Sequence, residues 1–223
     1  MKIYLTALSA IAASAILTGC GGSGGVMNTP KQNLSYNELY DSGIALIEKH
    51  KLDEDENDMV VPATPIKNMP SSGTATYAGV ASFSVGDGVV VSDTKEVIDG
   101  VTHRVVEYKP NRLGQARLTA NFGEGKLTGD ITDFRAYRKN AAKPGKISYD
   151  GKIADNLTEG RFTGEVNIAG TMVKVDMPGD GGFAGPDADA LVVTGENAHR
   201  ASFASEKAFQ KNFQEIVVIG EKK

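Results

Sequence analysis

An octapeptide occurs twice in this chain with its chemical type kept at every position: Glu124-Gly125-Lys126-Leu127-Thr128-Gly129-Asp130-Ile131 and Glu159-Gly160-Arg161-Phe162-Thr163-Gly164-Glu165-Val166. Each copy sets polar residues between apolar ones with a period of two, the period of an extended strand with one dry face and one wet face. We expect a turn at Gly125 and at Gly160, each leading into the second strand of a hairpin, with Leu127 and Ile131 or Phe162 and Val166 turned inward. The same period runs through Tyr77, Gly79, Ala81, Phe83 and Val85, through Leu118, Ala120 and Phe122, and through Ile147, Tyr149, Gly151 and Ile153. Gly79, Gly129, Gly151 and Gly164 all fall on the apolar side, where glycine weakens a flat strand but suits a sharply coiled one. Closing a sheet on itself needs such bends. The expected fold is therefore mainly β: a small antiparallel barrel of about eight strands, with an open sandwich as the alternative architecture. Gly86-Asp87-Gly88 reads as a hairpin turn between the strand ending at Val85 and Val89-Val90-Val91. The apolar, β-branched tail Ile216-Val217-Val218-Ile219 reads as a last barrel strand, a docking strip being the alternative.

Ahead of the barrel the period changes. Ser35-Tyr36-Asn37-Glu38 has the form of a capping box, and Leu39, Gly43, Leu46, Ile47 and His50 follow at helical spacing beside Tyr36 and Tyr40. One helix is expected over about 36–51. The acidic run Asp53-Glu54-Asp55-Glu56-Asn57-Asp58 ends it, and Pro62, Pro65 and Pro70 are expected to keep the next stretch extended. The run reads as solvated surface. A calcium loop is the sharper alternative, but the run lacks the Gly at the sixth position and the Glu at the twelfth that an EF-hand requires.

The first residues carry a different signal. Met1-Lys2 is a short positive start, Ile3 to Leu17 is an apolar stretch of fifteen residues, and small residues lead into Cys20, the one cysteine of the chain. The stretch falls short of the ~20 residues that span a bilayer, and it has the order of a secretory leader. Gly21-Gly22-Ser23-Gly24-Gly25 then reads as a flexible coil. A single cysteine excludes an intramolecular disulfide and zinc sites of the Cys-x-x-Cys kind.

Two resemblances follow from these residues. Leu17-Thr18-Gly19-Cys20 resembles the bacterial lipobox, in which the cysteine is acylated before cleavage. That resemblance implies a mature chain beginning at Cys20, held in the membrane by diacylglycerol and palmitate chains, each buried CH₂ contributing about 0.8 kcal/mol. Gly21, in place of the Asp that commonly retains such proteins in the inner membrane, is similar to outer-membrane lipoproteins. Gly181-Gly182-Phe183-Ala184-Gly185-Pro186-Asp187-Ala188-Asp189-Ala190-Leu191 resembles the signature Gly-Phe-x-Gly-Pro-x-Ala-x-x-Leu of the barrel domains of transferrin-binding protein B, and the two Thr-Gly repeats look like that family's strands before it. The resemblance covers about 74–203, the length of one barrel, where the transferrin binder has two lobes that each pair a handle domain with a barrel. It implies a lipid-anchored outer-membrane protein at the cell surface that binds a host protein, such as transferrin or a complement regulator, or a nutrient ligand such as haem. No ligand-contacting residue of that family can be placed on this chain. The expected organisation is a leader over 1–19, a lipidated tether over 20–33, a helix with an acidic, Pro-rich linker over 34–72, and the barrel over 73–223. A structural lipoprotein facing the periplasm with no small ligand is the alternative.

Other chemistry finds little support. A net charge of −4 with no basic stripe argues against nucleic acid. His50, His103 and His199 form no metal-binding spacing, and no cofactor is expected. Haem could take His103, His199, Tyr77, Tyr108, Tyr137 or Tyr149, since iron accepts both ligand types, but no spacing selects among them. Neither a Gly-x-Ser-x-Gly elbow nor a Ser-x-x-Lys pair nor a phosphate loop is present, so an enzyme is not expected.

Overall fold

The computed structural model describes residues 3–5, 34–55, 58–98, 101–198 and 202–223. Cys20, most of the leader, the tether and His199 lie outside the described residues. Helix α1 (Tyr36–His50) begins at the capping box read from the sequence: Glu38 N–H donates to Ser35 Oγ at 3.2 Å, and Ser35 N–H donates to the Glu38 carboxylate at 2.7 Å. Its end is a left-handed cap at Lys51. The acidic run supplies the short strand Asp53–Asp55, which pairs with Asp58–Val61; the latter also pairs with Ile3–Leu5. The proline-flanked stretch is not extended throughout, because Ile66–Asn68 make one turn of 3₁₀ helix after Pro65.

The remaining chain is β1 (Thr74–Val85), β2 (Val89–Ile98), β3 (Val101–Lys109), β4 (Arg112–Asn121), β5 (Lys126–Ala136), β6 (Lys139–Lys143), β7 (Gly145–Ala154), β8 (Leu157–Ile168), β9 (Thr171–Ala184), β10 (Ala190–Glu196), helix α2 (Glu206–Asn212) and β11 (Gln214–Lys222). Eight of these strands close a ring in the order β1, β4, β5, β7, β8, β9, β10, β11 and back to β1, every pair antiparallel. The barrel is closed, and β6 is an extra strand on the end of β5. The tail is its last strand: β11 lies between β10 and β1, Val218 opposite both Val193 and Ala81.

The two repeats stand on either side of β7. Leu127 of the first copy faces Gly151, whereas its counterpart Phe162 in the second faces Tyr149, so the copies are staggered by two residues across that strand. A closed sheet requires stagger of this kind. Leu127, Ile131, Phe162 and Val166 are all fully buried inside, as the alternation demanded. Gly125 sits in the β4–β5 turn with φ +61°. Gly160 does not make a turn. Its hairpin reverses earlier, at Asp155-Asn156, and Gly160 lies within β8 between Gly151 and Gly179. A Cβ on Gly160 would stand 2.4 Å from the Asp150 carbonyl oxygen, so close strand approach accounts for this glycine.

Gly86-Asp87-Gly88 is a turn, but not between paired strands. It takes the chain out of the barrel wall, and β2 pairs with β3 as a separate two-stranded ribbon. Turn chemistry alone does not distinguish a reversal from an exit.

The interior is filled. Tyr77, Phe83, Leu118, Phe134, Tyr149, Phe162, Met177 and Phe183 pack there at no more than 1% exposure. The Tyr149 and Phe162 rings, 4.8 Å apart, occupy space left open by Gly179. A second apolar layer lies outside. Tyr36 and Leu39 of α1 pack on Val80 and Leu113, and Leu46, Ile47 and Leu52 pack on Val192, Val217 and Ile219. This explains why β10 and β11 are apolar on both faces: one face fills the barrel and the other lies under the helix.

Candidate ligand-binding end of the barrel

The eleven-residue signature closes one end of the barrel. Phe183 and Leu191 plug it from the last turn of β9 and the start of β10, and the chain reverses between them through Gly185 (φ +83°) and Ala188 (φ +55°). The polar groups of this turn are met internally. Tyr77 Oη donates to the Ala188 carbonyl at 2.8 Å, Thr64 N–H to the Phe183 carbonyl at 2.8 Å, Thr64 Oγ1 to the Gly185 carbonyl at 2.8 Å, and Asn68 Nδ2 to the Pro186 carbonyl at 2.8 Å. Asn156 Nδ2 donates to the Thr64 carbonyl at 2.7 Å, tying the strap 62–68 across the plug. The signature is a structural closure, and its Gly185 and Pro186 line one side of a cleft of about 560 Å³ shared with Lys49, His50, Pro62 and Pro65.

Among the described residues the interior is packed with side chains. Tyr77 and Tyr149 are enclosed, and burial pushes both phenols up, Tyr149 to about 12. The Tyr149 hydroxyl donates to the Gly179 carbonyl at 3.1 Å and lies 3.1 Å from Thr158 Oγ1, so neither tyrosine is open to a haem iron. His50 ends α1 with Nε2 3.9 Å from Glu221 and no hydrogen-bond partner among the described residues. His103 lies on β3 of the ribbon and Tyr108 near the end of that strand. Among the described residues no three His, Cys, Asp or Glu side chains come together as a metal site.

The opposite end is built differently. The ribbon β2–β3 leaves there, with about 30 Å of strand length and, among the described residues, no other strand on either edge. Val90 is 53% exposed and Val105 38%. Arg104 holds Asp93 across the ribbon through Nε (2.8 Å) and Nη2 (2.7 Å). Gly88 permits the exit: its φ is +92°, and a Cβ would stand 2.3 Å from the Lys109 carbonyl oxygen. At the same end the helix is pinned to the wall, with Arg135 Nε donating to the Leu34 carbonyl at 2.7 Å and Tyr36 Oη to the Pro110 carbonyl at 2.9 Å.

Below the ribbon lies a cleft of about 420 Å³, lined among others by Asn111, Arg112, Tyr137, Lys139, Lys143 and Asn167. Glu215, at the start of β11, is largely buried and stands opposite Glu196 of β10 and Ser84 of β1. Burial first, then the neighbouring Glu196 charge, raise its carboxyl to about 8. Sequence reading picked out none of these residues except Tyr137. Arg112 is separated in sequence from Lys139 and Lys143 and the three follow no motif; the pairing of β4 and β6 with β5 brings them together.

The fold is thus a closed barrel with a filled interior, an outer helix and a two-stranded ribbon leaving one end. Residues 69–210 match the family model for the C-lobe and N-lobe beta barrels of Tf-binding protein B, and the chain belongs to that family as a single barrel domain. No curated protein sequence matches it. Among solved structures it is similar to Transferrin Binding Protein B of Haemophilus parasuis Hp5, at 18% identity over 72% of this chain and 28% of that one, with a TM-score of 0.45. It is also similar to isotype 1 Transferrin binding protein B of serogroup B Neisseria meningitidis, at 14% identity over 77% of this chain and 31% of that one, with a TM-score of 0.44. A third is the N-lobe domain of Lactoferrin Binding Protein B of Moraxella bovis, at 17% identity over 74% of this chain and 62% of that one, with a TM-score of 0.33. The chain thus spans under a third of the two transferrin-binding proteins.

Proposed function

We propose that this protein is an outer-membrane lipoprotein, anchored through acylated Cys20 and facing the cell surface, that binds a host protein through the ribbon end of its barrel. The family is one of transferrin-binding lobes, and a host iron-carrying protein of the transferrin class is the partner this reading favours. The observation that carries it is the β2–β3 ribbon: two strands with exposed aliphatic side chains and edges unpaired among the described residues, standing off a barrel whose interior is full and whose other end is plugged. A free two-stranded ribbon is only marginally stable alone, and an open edge is a template for another protein's strand. The fourteen residues over 20–33 would let the domain stand up to about 46 Å from its lipid.

The test is capture of host proteins from serum by the full chain and by the Val90→Lys/Val105→Lys double variant. Saturable capture by the first and loss in the second are expected; equal capture by both refutes the ribbon as the contact. Protease shaving of intact cells checks the location, and a chain protected unless the outer membrane is opened refutes the surface placement. Cys20→Ser is expected to release the protein from the membrane fraction.

A further inference from the structure

We propose that the cleft under the ribbon is a binding site for a doubly charged oxyanion, a phosphate group in particular. The inference concerns the cleft alone and stands whether or not the ribbon engages a host protein.

Three cations elsewhere on the barrel wall are matched by acids. Lys126 lies 3.5 Å from Asp150, Lys146 2.9 Å from Asp130 and Arg161 2.6 Å from Asp176, each a cross-strand pair. The cleft breaks this pattern. Arg112, Lys139 and Lys143 all line it, no aspartate or glutamate does, and none of the three has a carboxylate partner among the described residues. Three positive charges are thus gathered in one concavity of a chain whose net charge is −4.

Arg112 is the centre of the argument. It is only 6% exposed, and a buried guanidinium without an anion is costly. The fold offsets part of that cost with backbone carbonyls: Nε donates to the Asn167 carbonyl at 2.7 Å and Nη1 to the Asn111 carbonyl at 2.6 Å. These bonds fix the plane of the fork without neutralising it. Nη2 makes no hydrogen bond to the described residues and remains as a donor. Burial lowers the Arg112 pKa, yet a guanidinium stays charged in proteins. The result is a fixed, charged donor at the back of a cleft, with two longer ammonium groups at its rim. That arrangement suits an oxyanion with several acceptor oxygens, since guanidinium orients such a group and lysines add point charge. The cleft volume of about 420 Å³ exceeds a lone phosphate, so there is room for the organic part of a phosphate ester.

The test is a titration of the full chain with inorganic phosphate at constant ionic strength, followed by backbone amide and Arg Nε NMR signals. Saturable shifts confined to Asn111, Arg112 and 167–170 are expected. The Lys139→Ala/Lys143→Ala variant, whose changes lie at the rim of the cleft, should weaken phosphate binding by about tenfold or more. Arg112→Gln should abolish it, with far-UV circular dichroism reporting whether the barrel persists. Shifts that do not saturate, or affinity unchanged in the rim variant, overturn the proposal. A parallel arm adds vesicles of phosphatidylcholine with and without phosphatidic acid. Vesicle binding that needs phosphatidic acid and is competed by inorganic phosphate assigns the group to a lipid headgroup; saturation by free phosphate with silent vesicles assigns it to a soluble ligand.

Discussion

Replacing Glu215 with Gln should make the protein more stable in mild alkali and leave it unchanged in mild acid. In the folded chain Glu215 holds its proton up to about pH 8, because burial and the Glu196 charge oppose ionisation. In the unfolded chain the same carboxyl ionises near the ordinary 4.5. Between those two values the unfolded state binds fewer protons than the folded state, so stability falls as pH rises. It levels off above about 8, where both states are ionised. At ~1.4 kcal/mol per pH unit the interval sets a ceiling of roughly 5 kcal/mol, and relaxation around a partly open strand end brings the expected effect to roughly 2 kcal/mol. Glutamine keeps the shape and stays neutral at every pH, so Glu215→Gln removes this one contribution. Urea unfolding followed by circular dichroism at pH 4.5 and pH 8.5 reads it directly. The midpoints of the two proteins should coincide at the lower pH and separate at the higher, with the variant more resistant. Equal midpoints at pH 8.5, or a variant that is less stable there, would refute the idea of a buried carboxyl held neutral beside Glu196.

Three further outcomes test the packing. Leu39→Ala empties the contact of α1 with Val80 and Leu113 and should lower stability by about 2–4 kcal/mol, read as a fall in Tm with the barrel's circular dichroism retained below it. Gly79→Ala would place a Cβ 2.0 Å from the Ile219 carbonyl oxygen at the β1–β11 seam; it should either fail to give soluble folded protein or lose over about 3 kcal/mol in a denaturant titration. Tyr77→Phe leaves the buried Ala188 carbonyl without its donor and should cost about 1–2 kcal/mol, seen as faster amide exchange in the turn 185–189.

Much of this architecture was legible because burial on one face writes a period of two. Tyr77, Phe83, Leu127, Ile131, Phe162 and Val166 announced themselves in that way, and Ser35 with Glu38 marked the start of the helix. Places where two effects overlap were harder to read. Val192, Val217 and Ile219 point away from the barrel interior, and their burial depends on a helix more than a hundred residues earlier in the chain. Gly160 carries the same local signal as Gly125, yet one permits close strand contact and the other a turn. Likewise, Gly86 and Gly88 fix the backbone angles of an exit from the wall but say nothing about which strand β2 will choose. The cleft left no local trace, because Arg112 lies on β4 and Lys139 and Lys143 on β6, and they meet only through the pairing of both strands with β5. The signature was recognisable as a string, but its role as a plug depends on Thr64, Asn68 and Asn156, which lie outside it.

The seam between β1 and β11 joins the first barrel strand to the last, Tyr77 lying opposite Lys222. The ring therefore stays open until β11, the barrel strand made last, reaches β1. Until then two strand edges are bare, and neighbouring copies can join them as readily as the rightful partner does. Loss of even the last nine residues would leave those edges bare for good, and such a product should accumulate as aggregates or be degraded.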